Sequence, residues 1–299
     1  IEDLQSRELG DYYEIEEIDE CLKYTSYSIG DIELAIMEIE FEDYGFIKNI
    51  INQVLDLGCK CLEFRIKGKV TFNYLESVLK LFEFSIVSDV TMVFYFAEDI
   101  VEYDMECFLE NFYRVHKVFV YNYYCDKEIE SKTSVISYSK GIFSVNRCGT
   151  IAQKFSVNNI HINVGKNFNS CLFKMIFISS DGNVSNCHSL SLSFGNLHNT
   201  TVRWILENTL IKDIWFIKKD NVRVCSDCEY RLICTDCRAY IEDPDDILSK
   251  PLKCGYNPYT GEWSEWSTNP LKQKAIAYYG MEELVAERQE RLKGEDGGS

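Results

Sequence analysis

The 299-residue sequence predicts an α/β protein: an incomplete or degenerate parallel βα barrel over residues 1–150, a cysteine-rich domain over 151–281, and a charged tail at 282–299. Three observations carry this reading. From Ile32 to Tyr123 the apolar period switches repeatedly between two residues and 3.6, the rhythm of βαβ units and a mainly parallel sheet. From Lys127 to Ile160 the composition turns rich in Ser and Lys, which places a soft boundary near 140–165. Beyond it, seven of the chain's 13 cysteines fall between Cys171 and Cys254.

Taken in order, the acidic opening (Glu14 to Glu20) reads as a solvated helix. Ile32–Glu40 alternates apolar and acidic residues and reads as a strand. Phe46, Ile47, Ile50, Ile51, Val54 and Leu55 follow a helical period closed by Gly58. Cys61–Ile66 is a second strand, Phe72–Phe82 a helix, Val90–Phe96 a third strand, Met105–Val115 a helix and Val118–Tyr123 a fourth strand. Four strands with three linking helices make an incomplete barrel or a small open sheet, well short of an eight-fold barrel of about 250 residues. Ser134–Tyr138 and Gly141–Val145 are β-like. Lys174–Ser180 and Val184–Cys187 form a hairpin whose Asp181-Gly182 turn expects positive φ at both central positions. It should bring Cys171 and Cys187 to one end. Trp204–Asn208 is helical, Asn208–Phe216 continues it with a break, and Met281–Lys293 is a charged helix before a flexible end.

The cysteine spacing carries chemistry. Cys225-x2-Cys228-x5-Cys234-x2-Cys237 packs four thiols into thirteen positions, which a packing role does not require. Two ligands a few residues apart grip one metal or cluster from a single turn. A zinc ribbon separates its two knuckles by about 15–20 residues. Here only Glu229 to Ile233 intervene. In two-cluster ferredoxins a crowded run sends its last cysteine to the other cluster, so interleaved ligation of two iron–sulfur clusters fits better than one zinc.

With Cys171, Gly182, Cys187 and Cys254 added, the segment from Cys171 to Cys254 resembles the SPASM domain, the auxiliary-cluster domain of radical-AdoMet peptide-modifying enzymes. It departs by one residue, having two between Cys234 and Cys237 where the family has three. The words Cys225–Ala239 and Lys250–Trp263 look like the SPASM-type maturase that works with an ATP-grasp ligase on a short precursor peptide. That resemblance implies two 4Fe–4S clusters, one on Cys225, Cys228, Cys234 and Cys254, the other on Cys171, Cys187 and Cys237. Cys148 is the candidate for its fourth position, with His161, His188 or an open iron as alternatives. It further implies a radical-AdoMet-like βα region before residue 150. The CxxxCxxC triplet of such enzymes is absent, so AdoMet is not expected and the βα region reads as degenerate. A peptide-binding or accessory role follows. The alternatives are a redox-active peptide-modifying enzyme and a zinc-stapled binding module.

The remaining residues narrow the field. A net charge of −17 and pI near 4.7 argue against a nucleic-acid surface. An odd number of cysteines spread over this length argues against a disulfide framework and suits a reducing cytoplasm. The longest apolar stretch, Thr91–Ala97, is far too short to span a membrane. No signal peptide is visible, and the chain opens at Ile1, which leaves room for an upstream piece. Four histidines without HExxH, and glycines without GxGxxG or a P-loop, offer no handle for a His-based metalloenzyme or for nucleotide binding. Cys59 and Cys61, two apart on a strand, and Cys21, Cys107 and Cys125 read as core or incidental thiols. Arg231 and Arg238 are placed to balance cluster charge or to form salt bridges. Tyr256, Tyr259, Trp263 and Trp266 are expected to pack over the clusters.

Overall fold

A computed structural model describes residues 30–96, 102–151, 155 and 157–296. The acidic opening with Cys21 and the last three residues lie outside the described residues. The chain runs β1 (Leu34–Ile39), α1 (Tyr44–Asp56), β2 (Cys61–Ile66), α2 (Phe72–Lys80), β3 (Asp89–Phe94), α3 (Glu102–Leu109), β4 (Val115–Val120), β5 (Lys127–Glu130) and β6 (Val135–Tyr138). Then come α4 (Asn159–Asn167), β7 (Met175–Ile178), β8 (Asn183–Ser185), β9 (Gly195–Asn196), α5 (Val202–Asn208), β10 (Tyr256–Asn257), β11 (Glu262–Trp263), α6 (Gln273–Tyr278) and α7 (Glu282–Asp296). Nine strands form one sheet in the order β5-β6-β4-β3-β2-β1-β7-β8-β9. The six strands from β6 to β7 pair parallel in five neighbouring pairs, and the edges are antiparallel. The parallel part is larger than the four strands expected.

Adjacent parallel strands joined by right-handed crossovers put their helices on one face. In β2 that face carries Leu62, Phe64 and Ile66, all buried, while Cys61, Glu63 and Arg65 alternate to the other. The helices answer with matching stripes, Ile47, Ile50, Ile51 and Val54 from α1 and Tyr74, Leu75, Val78 and Leu79 from α2. Asp43 caps α1 through Phe46 N–H and Thr71 caps α2 through Tyr74 N–H. This core runs on to Trp215, so β7 and β8 belong to the main sheet. Beyond Phe216 two small cores gather around Trp266 and around Cys234 and Cys254.

Several expectations are corrected. The helix expected to reach Val115 stops at Leu109, because Val115, Val118 and Val120 enter the sheet as β4. The fourth strand ends at Val120, and Asn122 turns the chain at φ 55°. Gly141–Val145 is a bend leading into a 3-10 turn at Val145–Arg147. In the β7–β8 turn only Gly182 has positive φ, at 84°, with Gly182 N–H bonded to Ser179 O and Ser179 N–H to Asn183 O. That is a type I turn closed by a left-handed glycine. Leu210–Phe216 is a 3-10 segment capped by Thr209.

Candidate metal centre

The structure gathers Cys225, Cys228, Cys234 and Cys254 around one pocket. Val224, β-branched yet at φ 67°, turns the chain into the 3-10 turn at Cys225–Asp227, a conformation costing about 1–3 kcal/mol. Cys228 N–H bonds back to Cys225 O at 3.1 Å and Cys234 N–H to Tyr230 O at 2.9 Å, which curls the five-residue spacer into a tight loop. Cys254 arrives from 17 residues downstream of Cys237, set by the Ile241–Pro251 bridge and by its N–H on Pro251 O at 3.2 Å. Phe155, Tyr230, Tyr256 and Trp263 wall the pocket, with consecutive ring centroids 4.8, 5.1 and 4.9 Å apart. Burial pushes the Cys225 thiol up to about 12, against the opposing pull of the Lys219 ammonium. Burial raises Cys228 and Cys234 as well, and the Cys254 sulfur adds to each.

A second group forms at the end of the β7–β8 hairpin. Cys171 lies in the turn before β7, where Asn169 Oδ1 accepts the N–H of Cys171 and Leu172 at 3.0 and 2.8 Å. Cys187 follows β8 and takes the Ser189 N–H on its sulfur at 3.4 Å. Burial pushes Cys171 well up, and the sulfurs that push it further are Cys237, Cys187 and Cys148. Cys237 is likewise raised by burial and then by Cys148 and Cys187. Cys148 is exposed, on a loop pressed against Cys237: Gly149 stands at φ 76°, and a Cβ there would lie 2.8 Å from Cys237 Sγ. Cys234 and Cys237, three positions apart, therefore face different groups. Buried thiols with raised pKa do not ionise unaided; metal coordination deprotonates them.

The surroundings suit anions. Lys219, Arg238, Lys253 and Lys272 are all buried in this part of a chain of net charge −17. Among the described residues two carboxylates meet them. Asp236 takes Arg238 at 2.7 Å and Lys219 at 3.5 Å, and Glu242 takes Lys272 at 2.9 Å. Lys253 donates to Asn146 O and Cys148 O and lies over the Tyr240 ring at 4.7 Å, and burial pulls its pKa down to about 8. Lys219 is held above its ordinary value: burial opposes its charge, but Asp236 and the Cys234 and Cys225 sulfurs outweigh that. Buried cations in excess are costly unless negative charge completes the site. A cluster held by four thiolates supplies that charge. Among the described residues no three His, Cys, Asp or Glu side chains converge on a single ion's position.

Other expected residues fall elsewhere. Cys59 is a buried thiol bonded to the carbonyls of Glu33 and Cys61, Cys61 and Cys125 are part-buried, and Cys107 is exposed. His161 stands exposed on α4, and His188 Nε2 meets Glu38 Oε1 at 3.5 Å beside Cys187. Arg238 forms the buried ion pair, whereas Arg231 is half-exposed on Asp220 at 3.1 Å and donates to Cys228 O at 3.2 Å. Tyr256 and Trp263 cover the first pocket; Trp266 packs in the other small core, and Tyr259 bonds Asp227 at 2.8 Å. The buried lysines and Asp236 escape sequence reasoning, because charged side chains are almost never fully buried and read as surface. The one hint is their position, within two residues of a cysteine for Asp236 and Lys253.

Residues 170–229 match the family model of SPASM, an iron–sulfur cluster-binding domain, and the match implies cluster binding by this part of the chain. No curated protein and no solved structure matches the chain. Among the described residues no helix is long and apolar enough to cross a membrane.

Proposed function

We propose that this chain holds two 4Fe–4S clusters and takes part, in the cytoplasm, in maturing a ribosomally made precursor peptide beside an ATP-grasp ligase, as a peptide-binding or accessory component. The observation that carries the cluster reading is the pair of four-thiol groups sharing the Cys234–Cys237 turn amid buried cations. In this reading Cys225, Cys228, Cys234 and Cys254 hold one cluster and Cys148, Cys171, Cys187 and Cys237 the other. Such clusters, when bound, supply one-electron transfer. The five residues between Cys228 and Cys234 favour them over a single zinc ribbon, whose knuckles stand about 15–20 residues apart. The chain's own residues exclude water from the first site with four aromatic rings and balance its charge with Lys219.

The peptide reading rests on the resemblance of Cys225–Ala239 and Lys250–Trp263 to maturases of ATP-grasp systems. β5 is one edge of the sheet, the kind of position where strand addition occurs, and it carries Lys127, Glu128 and Glu130. Strand addition is nearly salt-insensitive, whereas docking on the acidic surface weakens as salt screens it over about 10 Å at 0.1 M. Anaerobic purification with iron, sulfide and zinc analysis tests the first half; stoichiometric zinc without sulfide would remove it. Calorimetry with the peptide encoded beside this chain, at two ionic strengths, tests the second, and no binding at either removes it. Formation of 5′-deoxyadenosine from AdoMet and dithionite would replace the accessory role with a catalytic one.

A further inference from the structure

Asp236 occupies the two-residue gap between Cys234 and Cys237, where the chain is one residue shorter than the SPASM pattern, and it is wholly buried. Its two oxygens face opposite ways. Oδ1 accepts from Arg238 Nη2 at 2.7 Å and lies 3.5 Å from the Lys219 ammonium, the cation that faces Cys225 and Cys234. Oδ2 accepts from Asn169 Nδ2 at 3.0 Å. The polarity of that second bond is dictated by its neighbours. Asn169 Oδ1 is taken by the N–H groups of Cys171 and Leu172, so its amide nitrogen must find acceptors, and it finds Asp236 and Ile217 O at 3.0 Å each. Ser170 closes the same contact, donating to Cys234 O and accepting Asp236 N–H, both at 3.0 Å. The Cys171 turn, the Cys234–Cys237 turn and the Lys219 cation therefore meet at one carboxylate.

We propose that Asp236 is the positioning residue for both thiol groups at once, one oxygen ordering the cation beside the first group and the other ordering the Cys171 turn of the second. This rests on the cluster assignment above. A neutral amide cannot do both, because its single oxygen serves one side and its NH2 meets donors on the other. The charged cations take the oxygen, so an Asn at 236 turns its NH2 against the NH2 of Asn169 and releases the Cys171 turn.

The test compares iron, sulfide and the electron paramagnetic resonance of reduced protein across variants prepared anaerobically. Each Cys→Ala variant sets the reference, removing one cluster and leaving about half of the iron. Asp236→Ala is expected to lower both sets of signals, with iron falling about tenfold. Asp236→Asn is expected to lose the second set first. The swap Asn169→Asp with Asp236→Asn restores an acceptor facing a donor at the 169–236 contact but takes the donor from Ile217 O, so it is expected to bring the second set back in part while the first stays depleted. A merely structural role would lower both sets together in Asp236→Asn instead of the second set first. Retention of either cluster at wild-type level in Asp236→Ala, or failure of the swap to recover the second set relative to Asp236→Asn, overturns the proposal. If Asp236→Ala does not accumulate folded, the swap comparison decides alone. Wild-type protein without iron would instead fail the cluster reading itself.

Discussion

Replacing Gly149 by Ala probes the loop that carries Cys148. Gly149 sits at φ 76°, and an added Cβ would stand 2.8 Å from Cys237 Sγ, 3.2 Å from Cys237 Cβ and 3.6 Å from Tyr240. The left-handed backbone alone costs an L-residue roughly 1–2 kcal/mol. Crowding against a buried, well-packed side chain adds about 1–3 kcal/mol. Neither neighbour gives way cheaply, because Cys237 is 5% exposed and Tyr240 is fixed by its hydroxyl on Asn146 at 2.9 Å. The loop must lift, at a total of roughly 2–5 kcal/mol, and Cys148 leaves Cys171, Cys187 and Cys237. Gly261→Ala is the control: φ is 71° there too, but nothing lies within 4 Å of the new Cβ. Iron and sulfide per chain, with paramagnetic resonance of the reduced protein, should show one cluster missing or altered in Gly149→Ala and both intact in Gly261→Ala. Full wild-type iron in Gly149→Ala, or equal losses in both variants, would refute the placement of Cys148.

Cys234→Ala should mimic Cys254→Ala in iron content and spectrum, and Cys237→Ala should mimic Cys187→Ala; if the Cys234 and Cys237 variants match each other and differ from Cys254, the two groups are not separate. Removing iron with a chelator should raise amide exchange across 225–254 while β1–β4 stay protected, since that core contains none of the eight proposed ligands among its fully buried residues. Simultaneous loss of protection throughout would defeat this. Acid should free α7. Glu265 holds Arg288 bidentately at 2.7 and 3.0 Å; burial opposes the Glu265 charge, but the guanidinium and Ser267 outweigh it and hold the carboxyl below its usual range. A depressed carboxylate stabilises fully above its unfolded pKa of about 4.3 and loses that contribution as pH falls toward the folded value. Proteolysis within α7 should therefore rise over that window and not in Arg288→Met, whose α7 is already loose at neutral pH.

Much of the fold could be read from the sequence wherever a single period governs. Cys61-Leu-Glu-Phe-Arg-Ile66 alternates cleanly and forms a strand with those same bounds. The helical period beginning at Phe72 starts where the helix does. Errors fall where two signals overlap, as at Val115, a residue that suits the end of a helix stripe or the start of a β-branched strand and is settled by pairing with Val90. That β7 lies beside β1 was not legible, because Leu34 and Met175 are far apart in sequence and only the sheet joins them. At the site, the cysteines announced themselves by spacing, and their division between two groups came with the resemblance. The cations did not announce themselves. Lys219, Lys253 and Lys272 are buried by contacts from segments tens of residues away, including Asn146 O for Lys253 and Leu252 O for Lys272.

The two thiol groups also differ in how much chain they gather. The first runs from Cys225 to Cys254, and the second from Cys148 to Cys237, about three times the length. Under the proposed ligation, a cross-link that survives unfolding restricts the denatured chain in proportion to the logarithm of the loop it closes, so the second tie would remove more disorder by roughly 1 kcal/mol. A nascent chain meets the same asymmetry in time: Cys148, Cys171 and Cys187 emerge together with the sheet strands beside them, then wait for Cys237. The long loop is drawn in late, and the short one closes last, when Cys254 appears.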